Sequence, residues 1–391
     1  MIFQPQLRIP GPTPLPDRVL RAMSRPMIDH RGPEFAAILK EISAGVKEAM
    51  AAPAAADLLV FTSSGTGAME AAVANLVSPG ERVVVCTCGA FGERFADINR
   101  AFGADVVKLE VEWGQPVEPD DLRDLLASHP EVEKVFLTHN ETSTGLTNPL
   151  QALARVAGQA GKIVVVDAIS SASSMPVEME AWGLDVVISG SQKGWMAPPG
   201  LAFAAIGPRG WEAAARATSP RYYFDWRSAR TWAEKGFTPT TPSVSVAFAV
   251  QEGLKLLSEE GLQNVYARHR RLAEACVAGL QAAGLQPFAA EGYRSATVTS
   301  AVLPEGIDTD AFRALLREKY GVVIASGRGT APVSARIVRV GHLGAVSEGD
   351  IAIVLWAVEQ ALEELDFRAA DGRALNAAQP HLTGTEAVAA R

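Results

Sequence analysis

Lys193 follows the apolar run Leu184-Asp185-Val186-Val187-Ile188-Ser189 and sits inside the string Gly190-Ser191-Gln192-Lys193-Gly194. About twenty-five residues upstream, Lys162-Ile163-Val164-Val165-Val166 ends on Asp167. Both runs read as buried strands, so an amine and a carboxylate stand at strand C-termini, the edge where open α/β sheets bind ligands. An amine placed there can form a Schiff base with an aldehyde. A carboxylate can keep a pyridine nitrogen protonated, so that the ring accepts electrons. Pyridoxal phosphate needs this pair. Taken singly, each residue has a plainer reading, Asp167 as a strand-end solvating group and Lys193 as a surface lysine.

A third need of that cofactor is a seat for its phosphate. Asp57-Leu58-Leu59-Val60-Phe61 runs as a strand into the small-residue turn Thr62-Ser63-Ser64-Gly65-Thr66-Gly67 and then a helix. Amides at such a helix start point outward, and the helix dipole favours an anion there. Ser64 acting as a simple N-cap is the competing reading. The Gly65-Thr66-Gly67 triplet also hints at a dinucleotide turn, but Glu70 stands where a third glycine belongs. Phe91, in Cys88-Gly89-Ala90-Phe91-Gly92, is either core or a ring lying on the cofactor's face, with glycines allowing close approach. Thr142, in the polar loop His139-Asn140-Glu141-Thr142-Ser143-Thr144-Gly145, is placed to bond a cofactor oxygen. His139 has no serine or cysteine nucleophile setting, which disfavours a catalytic triad. Arg336 and Arg339 fall on opposite faces of one strand, and periodicity leaves open which would meet a substrate carboxylate through its guanidinium fork.

These residues need a scaffold of more than one core, since single cores rarely grow past roughly 250–300 residues and the chain has 391. From about residue 57 short apolar strands alternate with helices, which predicts a mostly parallel sheet covered on both faces. Leu201–Ala205 reads as a hairpin-like addition to it. After Pro242 long helices follow, at roughly 243–257 and 261–283, and then a modest α+β pattern. The expected organisation is an extended proline-rich arm over 1–20, a large domain over 21–258, a smaller C-terminal domain over 259–366 and a loose tail over 367–391. A net charge of −8 without a basic cluster disfavours nucleic acid. No run approaches the ~18 apolar residues of a membrane span, and the first residues lack the pattern of a signal peptide. Three cysteines argue against a disulfide framework. The expectation is a cytoplasmic enzyme with no membrane or nucleic-acid partner and no metal.

Together these strings resemble the class V aminotransferases of pyridoxal-phosphate fold type I, in particular the alanine–glyoxylate, serine–glyoxylate and serine–pyruvate group. The likeness spans about residues 8 to 365. Its most specific signature is Ser189-Gly190-Ser191-Gln192-Lys193 followed by Ala197-Pro198-Pro199-Gly200. Ile9-Pro10-Gly11-Pro12-Thr13-Pro14 with Asp29-His30-Arg31 is similar to the group's entrance arm. The resemblance implies an α/β fold with a mostly parallel seven-stranded sheet, and pyridoxal 5'-phosphate bound covalently through Lys193. It implies that Asp167 holds the pyridine nitrogen, that Ser64, Gly65, Thr66 and Gln192 seat the phosphate, and that Phe91 and Thr142 contact the ring. It makes Arg339, with Gly11, the substrate-binding pair. It also implies that Thr240 reaches the neighbouring subunit's phosphate, hence a homodimer with shared sites. Some members carry tyrosine at the place of Phe237 and tryptophan at that of Phe91, so cofactor affinity is expected to differ.

The implied activity is ping-pong transamination of alanine or serine with glyoxylate or pyruvate. Only Arg339 is assigned to a carboxylate, so small oxo acids are expected over 2-oxoglutarate, with Arg221, Arg227, Arg230 and Arg328 unplaced. The competing readings are a phosphonate-amine transaminase, a cysteine desulfurase-like enzyme, a dinucleotide-binding oxidoreductase and a non-catalytic binding module. Desulfuration would need a mobile loop cysteine, whereas Cys86, Cys88 and Cys276 fall in strand or helix patterns.

Overall fold

The computed structural model describes residues 5–328 and 332–383. The valine-rich runs form the middle of a seven-stranded sheet. Its spatial order is Asp57–Phe61, Ala202–Ile206, Val186–Gly190, Ile163–Asp167, Lys134–Thr138, Arg82–Thr87 and Asp105–Glu110. From Val186–Gly190 to the far edge all neighbours are parallel. The strands Lys134–Thr138, Ile163–Asp167 and Val186–Gly190 are buried at every position, because helices cover both faces. On one face pack Phe35, Ile38 and Ile42 of the helix Pro33–Ala49, with Leu150 and Leu153 of Leu150–Gln159 and Phe248 of Val244–Glu260. On the other lie Met69 and Val73 of the helix Gly65–Leu76 and Phe95 of Ala90–Ala101.

The chain moves outward from Arg82–Thr87 to the edge strand Asp105–Glu110, then returns to the other side of Arg82–Thr87 as Lys134–Thr138. That reversal opens a crevice at the strand C-termini, where ligands of open α/β sheets bind. The loops that carry Phe91 and Thr142 leave from its two sides.

The stretch expected as a hairpin-like addition is an interior strand. Ala202–Ile206 pairs antiparallel with both Val186–Gly190 and Asp57–Phe61. The connection from Gly190 is too short for a parallel crossover, so the strand returns antiparallel, and its five buried positions suit an interior place.

A second, antiparallel sheet orders Gln286–Pro287, Val298–Val302, Ile337–Gly341 and Ala325–Ser326. Its core is shared with the helices Leu262–Ala283, Thr309–Glu318 and Glu348–Glu364. The last of these starts from a reciprocal cap between Ser347 and Asp350.

Two terminal expectations need correction. The proline-rich arm is not extended through residue 20. A helix starts at Asp17 directly after Pro16 and runs to Met23, where a fixed proline φ and an acidic first residue both favour helix entry. The tail is not loose between 373 and 383. Arg373–Thr383 is a helix against Leu262–Ala283, with Ala374 and Ala378 buried, and the Ala374 amide donates to Glu359 at 3.1 Å. Its fully buried positions are alanines, with Leu375 and Leu382 only partly buried against the same core, so the sequence shows little hydrophobic contrast. Residues 384–391 of the expected tail and 1–4 of the arm lie outside the described residues.

Candidate active site

The arm enters by pairing Gln6–Leu7 with Val322–Val323 and brings Pro10 and Gly11 onto Lys193. The Lys193 Nζ donates to the Pro10 carbonyl at 2.5 Å. A Cβ on Gly11 would fall 2.6 Å from that Nζ, and Gly11 has a φ of +136°. Only glycine fits.

Asp167 ends its strand fully inside the protein. Its Oδ1 accepts from the Ile169 amide at 2.8 Å, the one hydrogen bond to this carboxylate among the described residues. Burial raises its pKa to about 7, with Glu141 adding repulsion and Lys193 and Arg94 opposing it. Burial lowers the Lys193 pKa to about 8, helped by the positive charge of Arg339 and resisted by Asp167. The two groups identified at separate strand ends are therefore electrostatic neighbours, each close to changing charge near neutral pH.

Arg339 projects from Ile337–Gly341 into the same place. Its Nε donates to the Ser326 carbonyl at 2.8 Å and its Nη1 to the Thr142 carbonyl at 3.1 Å, which fixes the fork. Desolvation brings its pKa down to about 10, with Arg328 and Arg313 adding repulsion. Arg336 turns the other way and donates twice to the Leu303 carbonyl. Lys193, Arg339, Phe91, Thr142, Pro10 and Gly11 line one cavity of about 420 Å³, within the ~300–1,000 Å³ usual for small-molecule sites.

Beside it, Ser64 caps the helix Gly65–Leu76 through a 3.4 Å bond from the Gly67 amide. A Cβ on Gly190 would lie 3.2 Å from the Gly65 Cα and 2.9 Å from the Gln192 Oε1, so these glycines let the turn and the Lys193 segment close up. The Gln192 Oε1 is buried without a partner. Ser64, Gly65, Thr66 and Gln192 thus surround one helix start.

Two residues singled out in the sequence stand apart from the Lys193 cavity. Thr240 is not among the residues lining the Lys193 cavity. Its loop is held by Arg31, which donates to the Thr238 carbonyl at 2.6 Å, and its neighbours Phe237, Thr238 and Pro239 line another cavity of about 750 Å³ against the helix Pro33–Ala49. His139 is a core residue packed edge-on to Trp182 at 6.0 Å, and burial depresses its pKa to about 4. The three cysteines are buried and unpaired, and burial pushes the Cys86 and Cys276 thiols up to about 12.

Three residues, Glu141, Arg94 and Arg313, escaped the sequence reading, and Arg328 was among the arginines it did not place. Glu141 is buried under the crevice and its carboxylate accepts from the amides of Phe91, Gly92 and Ser143 at 2.9, 3.0 and 3.0 Å and from the Ser143 hydroxyl at 2.5 Å. Arg94, one turn after Phe91, donates to the Thr66 hydroxyl at 3.0 Å and lies 4.9 Å from the Phe91 ring centre. Arg313 and Arg328 line the Lys193 cavity, so the premise that Arg339 alone faces a substrate carboxylate does not hold. The i, i+3 spacing of Phe91 and Arg94 was a usable signal; nothing local marked the others.

The sequence pattern of the family Aminotransferase class-V matches residues 7–347. The chain belongs to that family. Its cofactor is pyridoxal phosphate, and it transfers amino groups between amino acids and oxo acids. The residues present fit the cofactor: a buried carboxylate without a cationic hydrogen-bond partner, an amine pressed against a glycine, and an unpartnered Gln192 oxygen at a helix start. A protein of Synechococcus sp. called the small subunit of a soluble hydrogenase is 40% identical over 92% of this chain and 94% of its own. The L-aspartate–glyoxylate aminotransferase of Paracoccus denitrificans is 34% identical over 100% and 99%. The crystal structure of ureidoglycine–glyoxylate aminotransferase from Bacillus subtilis superposes with a TM-score of 0.90 at 28% identity, covering 97% of this chain and 98% of that one.

Proposed function

We propose that this aminotransferase moves the amino group of a small amino acid, alanine or serine, to glyoxylate or pyruvate, using Lys193, Asp167 and Arg339. The observation that carries the reading is one cavity lined by the buried Lys193 amine and Arg339, with the buried Asp167 carboxylate an electrostatic neighbour of that amine. The bound cofactor supplies an aldehyde for amines and a ring that accepts the electron pair left when a substrate Cα loses its proton. Ser64, Gly65, Thr66 and Gln192 would seat its phosphate, Phe91 would face its ring and Thr142 would bond at the ring's side.

Arg339 binds the substrate carboxylate and sets the Cα beside Lys193, which supplies positioning. The Lys193 Nζ would take the substrate Cα proton as a base and later hand it back as an acid. A pKa brought down to about 8 leaves a useful neutral fraction of that amine near pH 7. Asp167 would hold a protonated ring nitrogen, and such a cationic partner would keep the carboxylate charged by replacing the water lost on burial. The oxo acid is then bound by Arg339 and the same proton transfers run in reverse. Glyoxylate as acceptor is supported by the Paracoccus and Bacillus relatives, whose names share it.

The enzyme works as a homodimer in which Thr240 reaches the partner's phosphate, a role that suits its place outside its own Lys193 cavity. Unpaired cysteines suit the reducing cytoplasm. Borohydride reduction and peptide mapping test the central assignment: the pyridoxyl adduct is expected on Lys193, and an adduct on another lysine would overturn it.

A further inference from the structure

The residues lining the Lys193 cavity include four cations, Lys193, Arg313, Arg328 and Arg339, and no Asp or Glu. One substrate α-carboxylate occupies one guanidinium fork. Arg339 is the buried one, held by the Ser326 and Thr142 carbonyls. Arg313 already has partners, since it donates to Asp310 at 3.1 Å and to the Ile324 carbonyl at 3.3 Å. Arg328 differs: among the described residues no carboxylate pairs with it. Its guanidinium lies 5.7 Å from the centre of the Phe91 ring, the ring assigned to the cofactor's face. Its charge reaches both the Lys193 amine and Arg339. Two guanidinium groups lining one small-molecule cavity, neither paired with a carboxylate among the described residues, repel each other unless anions bind between them. A monocarboxylate answers only one of them.

We propose that Arg328 forms a second carboxylate subsite, so that the cavity takes an acidic amino acid as donor, with the α-carboxylate on Arg339 and the side-chain carboxylate on Arg328. The inference rests on the transaminase reading and extends its donor class beyond alanine and serine. Arg328 is exposed at the cavity's mouth, where a planar, weakly hydrated fork pairs well with a carboxylate. Phe91 packs against the guanidinium and limits where it can swing.

The test uses the full-length holoenzyme with glyoxylate as acceptor and L-aspartate, L-glutamate and L-alanine as donors, for the wild type and Arg328→Gln. At least one acidic donor is expected to be used with a lower KM than alanine. Arg328→Gln is expected to cut kcat/KM for that donor at least tenfold more than for alanine. Succinate should inhibit the wild type more strongly than acetate, and this preference should fall in the variant. Turnover of alanine with neither acidic donor used would overturn the subsite while leaving the transaminase intact. Equal losses for acidic and neutral donors would also overturn it, by placing Arg328 on the α-carboxylate. No turnover of any of these donors would overturn the subsite together with the alanine–glyoxylate half of the reading beneath it.

Discussion

Asp167 and Lys193 are both taken out of water, and burial moves them in opposite directions, the acid up to about 7 and the amine down to about 8. For Asp167 the consequence for stability has a definite sign. A carboxyl whose folded pKa is raised binds protons more tightly folded than unfolded, so without cofactor its contribution falls as pH rises from about 4 to about 7. Asp167→Asn is expected to flatten that part of the apoprotein's stability–pH curve, measured by thermal melts across it. The same variant should lose about a hundredfold or more in turnover, the order found when one positioned electrostatic group is removed from a site, because a neutral amide cannot hold a protonated ring nitrogen. Near-normal rates would reduce Asp167 to a strand-end residue. Arg339→Lys is expected to cost about 2–4 kcal/mol in kcat/KM, since a point ammonium cannot reproduce a charge-assisted fork. Arg336→Lys should do far less, as its donors go to the Leu303 carbonyl. The reverse ranking would mean that the wrong strand face was assigned.

The helix Ala90–Ala101 has glycine at its N-cap and no capping side chain of its own. Glu141, from the loop after the neighbouring strand, supplies the acceptor instead, taking the amides of Phe91 and Gly92. Its carboxylate therefore anchors the loop of Thr142 to the helix that presents Phe91. Glu141→Gln would set an amide NH2 against N–H donors and leave at least one buried donor unmet. Such a loss costs about 1–3 kcal/mol, so denaturant melts should show that destabilisation, accompanied by weaker cofactor retention. Unchanged stability and retention would contradict this anchoring role.

The N-terminal arm ties the molecule together, pairing with Val322–Val323 before it reaches Lys193, while Arg8 forms an ion pair with Asp350. The arm, the large sheet and the second sheet thus meet at the amine. The proposed dimer adds a partner to this assembly. Tyr222 and Met27 are 92% and 68% exposed, and apolar surface of that kind marks interaction sites when it is contiguous. Sedimentation should show a dimer, and Thr240→Ala should weaken cofactor retention without breaking it. A fully active monomer would exclude shared sites.

Alternation of short apolar strands with helices was enough to predict the mostly parallel sheet, and the strand-end places of Asp167 and Lys193 follow from it, because each stands where a run of apolar residues ends, although both side chains are buried. The helix start capped by Ser64 was legible for the same local reason. The interior place of Ala202–Ile206, the helix Arg373–Thr383, the anchoring by Glu141 and the cavity-facing Arg313 and Arg328 were not. Each depends on which distant segment packs alongside, and a residue's type and spacing do not record that. The choice between Arg336 and Arg339 shows the limit well. Their spacing reads as opposite faces of one strand, but the strand starts at Ile337 and Arg336 ends the short 3-10 helix Pro332–Arg336 before it. Which side looks onto Lys193 was decided only when that strand packed beside Ala325–Ser326 and the Thr142 loop, whose carbonyls hold one guanidinium in the cavity.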